Sequence, residues 1–239
     1  MKKIVDNYKI ISWLLWGGIV CLVGVNSYSN LKSTTRNSPD TYRLSTKDKY
    51  LIANTKNGVA DITVVNKTTG YKNQYQVDLS DSFKKINNMP EKYSREQEEY
   101  QKNNGELITQ ASRAYGAIIA NDYKIVRFCS KYHPVTKWKN VFDAHFQDKK
   151  HKAERILDKA YGPSTAKNFE YAFATNPNVI KFYEQQIEED YLNTKAKMQE
   201  EGYYNFSRIE YCQMLDDDSN ISLYLKTLDT EFKSLLPNF

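Results

Sequence analysis

From about residue 91 onward, apolar residues recur three and four positions apart, the spacing that gathers side chains on one face of a helix. One stripe runs through Ile108, Ala111, Tyr115, Ile118, Ile125 and Cys129. Asp122 falls on the same stripe, so either the helix breaks near Asn121-Asp122 or that carboxylate finds a partner. A second stripe carries Trp138, Val141, Phe142, His145, Phe146, Ala153, Ile156, Leu157 and Ala160, and stops at Gly162-Pro163. A short helix around Phe169–Phe173 ends at Asn176-Pro177. Ile180, Tyr183, Ile187, Tyr191, Thr194 and Met198 mark the next, which runs to Gly202. The last pair is Phe206, Ile209, Cys212 and Leu215, then Ile221, Leu225, Leu228, Phe232 and Leu235. Asp218 or Ser219 is placed to cap the final helix by accepting from unpaired backbone N–H groups. Short connections between amphipathic helices predict an antiparallel helical bundle over 91–239, opened by a charged, solvated helix from Glu91 to Lys102.

Upstream the pattern changes. Residues 30–90 read as a polar, basic linker with a small N-terminal β-hairpin at about 60–79. Its first run is Ala60 to Val65, and its turn is Asn66-Lys67-Thr68-Thr69-Gly70. In the second run Tyr71, Tyr75, Val77 and Leu79 keep a period of two, except at Asn73. The expected fold class is therefore mainly α, with that hairpin as the β component.

Residues 1–29 differ again. Lys2, Lys3 and Lys9 precede Ile10 to Val25, a run of sixteen residues without a charge. That length lies between a signal-peptide core of about 7–15 residues and a membrane-spanning helix of about 20. Two placements stay open: cleavage after Ser27 or Ser29, or retention as an N-terminal membrane anchor with Trp13 and Trp16 near the cytoplasmic interface. Either places the rest of the chain in the periplasm, or at the inner membrane facing the periplasm, or secreted beyond it. Cys21 follows Val20, where a lipoprotein signal requires a small residue, which argues against lipidation.

Composition narrows the classes. A mean hydropathy of -0.71 excludes a polytopic membrane protein. The net charge of +5 is concentrated in the polar stretch, where residues 30–90 hold ten Lys and Arg against five Asp and Glu. Those basic residues are scattered rather than set on one face with aromatic context, so nucleic acid is not an expected partner.

Three cysteines remain to be placed. With Cys21 inside the hydrophobic segment, Cys129 and Cys212 form an even pair, each on an apolar stripe, in a compartment that permits disulfides. A Cys129–Cys212 disulfide is expected.

Catalytic chemistry has little to work with. There are three histidines, of which His145 and His151 are six apart and cannot share a helical face. Cys129 and His133 are four apart, a spacing suited to half a metal site or to a thiol and its base. That makes a periplasmic metal-binding protein or hydrolase the alternative reading. Asp216-Asp217-Asp218 lacks EF-hand spacing and suits a helix start. Glu184, Glu188, Glu189 and Asp190 read as solvated charges on one helix. Phosphate-loop, nucleophile-elbow and dithiol motifs are missing. Tyr115, Tyr183 and Tyr191, among nineteen tyrosines, lie on apolar stripes and are expected in core or rim packing. The function expected is a non-enzymatic structural or interaction component of a bacterial-type cell envelope. Its partners would be envelope proteins, with membrane contact through the N-terminal segment. No catalytic residue, metal ligand or cofactor is assigned.

Overall fold

The computed structural model describes residues 40–45, 49–56, 59–78 and 93–239. The N-terminal segment, and with it the choice between cleavage and anchoring, lies outside the described residues. So do parts of the 30–90 stretch.

Four strands follow one another in a single antiparallel sheet: β1 (Asp40–Ser45), β2 (Lys49–Lys56), β3 (Val59–Asn66) and β4 (Lys72–Asp78). The expected hairpin is β3–β4. β1 and β2 extend the sheet into the stretch expected to be linker. Registers Leu51↔Val64, Ala53↔Ile62 and Ala60↔Val77 put these six residues on one face. All six are buried in the core shared with the helices. Asn54, Asp61, Gln74 and Gln76 are exposed between them, as the period of two requires. Across the outer face the Gln76 side chain donates to Asp61 at 2.9 Å. The β3–β4 turn is built by Asn66, whose side-chain oxygen accepts from the Thr68 and Thr69 amides at 2.9 and 3.0 Å. Gly70 closes the turn at φ +70°, where a side chain would be strained.

The remaining chain is helical: α1 (Arg95–Asn103), α2 (Gly105–Cys129), α3 (Thr136–Tyr161), α4 (Thr165–Thr175), α5 (Pro177–Glu200), α6 (Arg208–Leu215) and α7 (Asp218–Leu235). α1 starts at a Ser94/Gln97 capping box and buries none of its residues, as its charge predicts. α2 is buried almost all round, with every residue from Ala114 to Asn121 buried. That makes it the central helix. Its alanines at 111, 114, 117 and 120 leave room for neighbouring helices to approach.

α2 does not break at Asp122. The carboxylate accepts from Lys139 of α3 at 3.0 and 3.1 Å, and Lys139 also reaches Asp143 at 2.8 Å. Burial pushes the Asp122 carboxyl above its usual range, against the opposing pull of Lys139. α3 and α7 meet through an aromatic column. Trp138 stacks on Phe142 at 4.6 Å, Phe142 meets Phe146 at 4.9 Å, and Phe146 meets Phe232 at 5.3 Å. Three stripe residues face out instead: Val141, His145 and Ile209 are exposed.

The sheet docks on α5. Tyr75 of β4 donates to Glu189 at 3.0 Å and sets its ring edge-on to Phe182 at 5.3 Å. Asn176 serves both sides of this junction. Its side-chain oxygen caps α5 by accepting from the Asn178 and Val179 amides, while its NH₂ donates to the Asp78 carbonyl at 3.0 Å.

Candidate functional site

The cysteine pair sits where α2 ends. Cys129 is the last residue of α2 and Cys212 lies in α6, with their Cα atoms 5.5 Å apart and their sulfurs joined. Neither is exposed to solvent. Phe128, Tyr132, Tyr211, Tyr191 and Phe206 form a chain of ring contacts around the pair at 5.2–6.4 Å. Arg208 covers the Tyr191 ring at 4.7 Å while bonding to Glu188 through two of its nitrogens.

His133 does not assemble a site with this sulfur. Its contact with Cys129 is a backbone one, its amide donating to the Cys129 carbonyl at 2.8 Å as the helix unwinds. The thiol that the Cys129/His133 alternative requires is engaged by Cys212. The other two histidines stand apart from it. His145 pairs with Asp229 of α7 at 2.8 Å at the rim of the aromatic column. His151 lines an open depression with Asp148, Lys152, Glu154 and Arg155. Among the described residues, no three His, Cys, Asp or Glu side chains are grouped so as to hold a metal ion.

The acidic residues are put to different uses. Asp217, one residue earlier than expected, caps α7 by accepting from the Ser219 amide. Asp216 accepts from the Trp138 amide at 2.6 Å, supplying the first turn of α3 with an acceptor that its own cap residue Val135 cannot offer. Asp218 pairs with Lys137. On α5 the four carboxylates are half-buried rather than simply solvated. Glu184 binds Lys131 and Arg127, Glu188 binds Arg208 and Glu189 binds Tyr75.

The fourth, Asp190, belongs to a group that sequence reasoning missed. Lys124 of α2 is 2% exposed, and Tyr224 of α7 is 6% exposed. Tyr224 donates to Asn121 at 2.5 Å, and Asn121 donates in turn to the Ala117 carbonyl at 2.8 Å. Burial drives the Lys124 ammonium well below its usual range, with Asp190 and Glu231 opposing that shift. Burial likewise drives the Tyr224 phenol well above its usual range, and the same two carboxylates reinforce it. The signal lay in the spacing, since Ala117, Asn121, Lys124 and Phe128 form a second stripe on α2 beside the apolar one.

On the surface, the α5–α6 connection exposes Tyr203 and Tyr204, and Ile209 follows at the start of α6. Exposed Tyr132 lies within cation–π range of Arg208, at 5.9 Å. Tyrosines in such places offer contact area and a hydroxyl at low entropic cost. Among the described residues, no helix is long and apolar enough to cross a membrane.

These features define a mainly helical protein with a small antiparallel sheet, a buried cysteine pair and an enclosed ionisable group. Comparison of the chain with protein-family models, curated proteins and solved structures gives no significant match.

Proposed function

We propose that this chain is an exported component of a bacterial-type cell envelope, in the periplasm or at the inner membrane facing it, acting by binding other envelope proteins rather than by catalysis. The observation that carries the reading is the basic start followed by the uncharged run Ile10 to Val25, which has the features of an export signal or anchor. The buried Cys129–Cys212 pair supports it, because disulfides persist in oxidising compartments and are rare in the cytosol. In this reading residues 91–239 form an antiparallel bundle, and the exposed tyrosines at 132, 203 and 204 supply the contact surface.

The test is thiol alkylation with intact-mass measurement on protein from the native host's envelope fraction, with and without reductant. Two thiols beyond Cys21 that appear only on reduction support export, and a mass lacking about 27–29 residues would add cleavage. Freely alkylated Cys129 and Cys212 in a cytosolic fraction would overturn the reading. Hydrolysis of peptidoglycan or esters by the purified protein would remove its non-enzymatic part.

A further inference from the structure

We propose that the outer face of the sheet, at its β3–β4 turn end, docks on an anionic phospholipid bilayer through Arg43, Lys67, Lys72 and Tyr71. This deepens the envelope reading and rests on it for access to a membrane. The inner face of the sheet is packed on the helices, so its surplus positive charge falls on the outer face and the turns. Strand pairing divides that outer face into rows. Thr41, Asn54, Asp61 and Gln76 form a polar row that satisfies itself, Thr41 donating to Asn54 and Gln76 to Asp61, each at 2.9 Å. Arg43, Ile52, Thr63 and Gln74 form the next row, and Tyr50, Val65 and Lys72 form another beside the turn. These two rows contain no acidic residue. Arg43 and Lys72 are exposed in them, with half-buried Tyr50 and Ile52 between. The turn adds exposed Lys67, and Tyr71 follows it at 67% exposure. Tyrosine rings favour the headgroup level of a bilayer, and basic side chains beside them meet its phosphates.

Two further observations favour a bilayer over a soluble polyanion. Only 14 residues separate Val25, where the uncharged run ends, from Asp40 at the start of β1. At full extension they span about 50 Å, so a membrane that holds the run keeps the sheet within reach of its surface. The charge is also divided along the chain. Residues 30–90 hold ten Lys and Arg against five Asp and Glu, whereas residues 91–239 hold 21 against 23. An anionic surface therefore draws in the sheet and leaves the helical part outward.

The experiment reconstitutes the full chain into vesicles of phosphatidylcholine alone, or of equimolar phosphatidylcholine and phosphatidylglycerol. Flotation scores attachment, and a membrane-impermeant amine reagent read by peptide mass spectrometry scores docking. The chain should float with both vesicles. Labelling of Lys72 should be about fivefold slower on the anionic ones, while exposed Lys226 of α7 is labelled alike on both. High salt should remove the difference by screening. Arg43→Gln with Lys67→Gln should remove most of it and keep flotation, and the salt arm decides if that variant does not fold. Equal labelling of Lys72 on the two vesicles overturns the docking face and leaves the anchor standing. Flotation with anionic vesicles alone, with Lys72 protected, supports the face and overturns the anchor. Flotation with neither overturns both. The proposal also fails if Lys226 is protected as strongly as Lys72, or if the difference survives high salt or the double substitution. Equal protection of Lys72 by a single-stranded oligonucleotide without vesicles would assign the face to a polymeric polyanion instead.

Discussion

α6 and α7 are neighbours in sequence and both are fastened to α2, yet by opposite means. α6 is held by a cysteine pair wrapped in aromatic rings, with Cys129 and Cys212 both fully buried. The hydrogen bond α7 makes with α2 runs from Tyr224 to Asn121, one turn from the buried Lys124, so polar groups meet there in a dry environment. The first attachment contains no group that titrates near neutrality, so its strength depends on redox state. The second depends on which protons are bound, because burying a charge is tolerable only while opposite charge compensates it. One fold thus carries two fastenings that different variables can release.

The largest expected effect comes from the covalent one. The pair is 83 residues apart in sequence. Closing a loop of that size stabilises by about 4 kcal/mol in the chain-entropy picture. Reduction, or Cys129→Ala with Cys212→Ala, should lower the urea midpoint by a corresponding amount, equally at neutral and mildly acid pH. A loss that varied strongly with pH would erase the contrast between the two attachments.

Next comes the polar fastening. Tyr224→Phe removes the hydroxyl that bonds to Asn121 and leaves a buried acceptor unsatisfied, a loss of about 2 kcal/mol by urea unfolding. The pH dependence has a definite sign. Lys124 is depressed in the fold, so the unfolded chain binds more protons and stability rises as pH approaches 10.5, the ordinary lysine value. Tyr224 is raised by burial, and burial also pushes Tyr75 and Tyr161 up to about 12, with Glu189 adding to the effect at Tyr75. Unfolded tyrosines ionise near 10.0, so stability contributed by these three is complete below that pH and is lost above it. The urea midpoint followed across alkaline pH should therefore rise toward about pH 10 and then fall. In Lys124→Met the rise should vanish and the fall remain.

The two fastenings were not equally legible. Cys129 and Cys212 each lie on an apolar stripe, and that placement, with their even number in an exported chain, suggested their pairing. Lys124 lies beside an apolar stripe rather than on it, and a lysine in such a place ordinarily points to water. Only the near-complete enclosure of α2 makes it a buried amine, and enclosure is a tertiary property. Asp122 shows the intermediate case: its place on the stripe posed the right alternatives, and Lys139, 17 residues away, supplies the partner. The sheet was half visible. β3 and β4 stand out by their β-branched runs and the Gly70 turn. The register Lys56↔Val59 leaves Asn57-Gly58 between β2 and β3, the dipeptide most typical of a two-residue hairpin, and that signal could have extended the sheet. The exposed stripe positions Val141 and Ile209 show the reverse error, since periodicity marks a face without saying whether anything covers it.

Asp217 lies in the two-residue connection between the two fastened helices and tests whether they are independent. Asp217→Ala removes the acceptor for the Ser219 amide at the start of α7, a loss of about 1 kcal/mol typical of an N-cap. Hydrogen exchange should place that loss in the first turn of α7 and leave α6 protected. If α6 opens as well, the two helices move as one body and the distinction between their attachments has no mechanical meaning.

The smallest effect is expected furthest from both fastenings, at the sheet. Tyr75→Phe removes the hydroxyl that donates to Glu189 but keeps the ring against Phe182. Glu189 is only half-buried, so water can replace the lost donor, and about 0.5–1 kcal/mol should go. The sheet retains its apolar face and the Asn176 bond to the Asp78 carbonyl, so the loss should speed exchange of β4 amides while α2 is unaffected. Faster exchange in α2 would mean that the sheet supports the central helix directly. The division would then lie between the sheet-side and C-terminal halves of the core, rather than between α6 and α7.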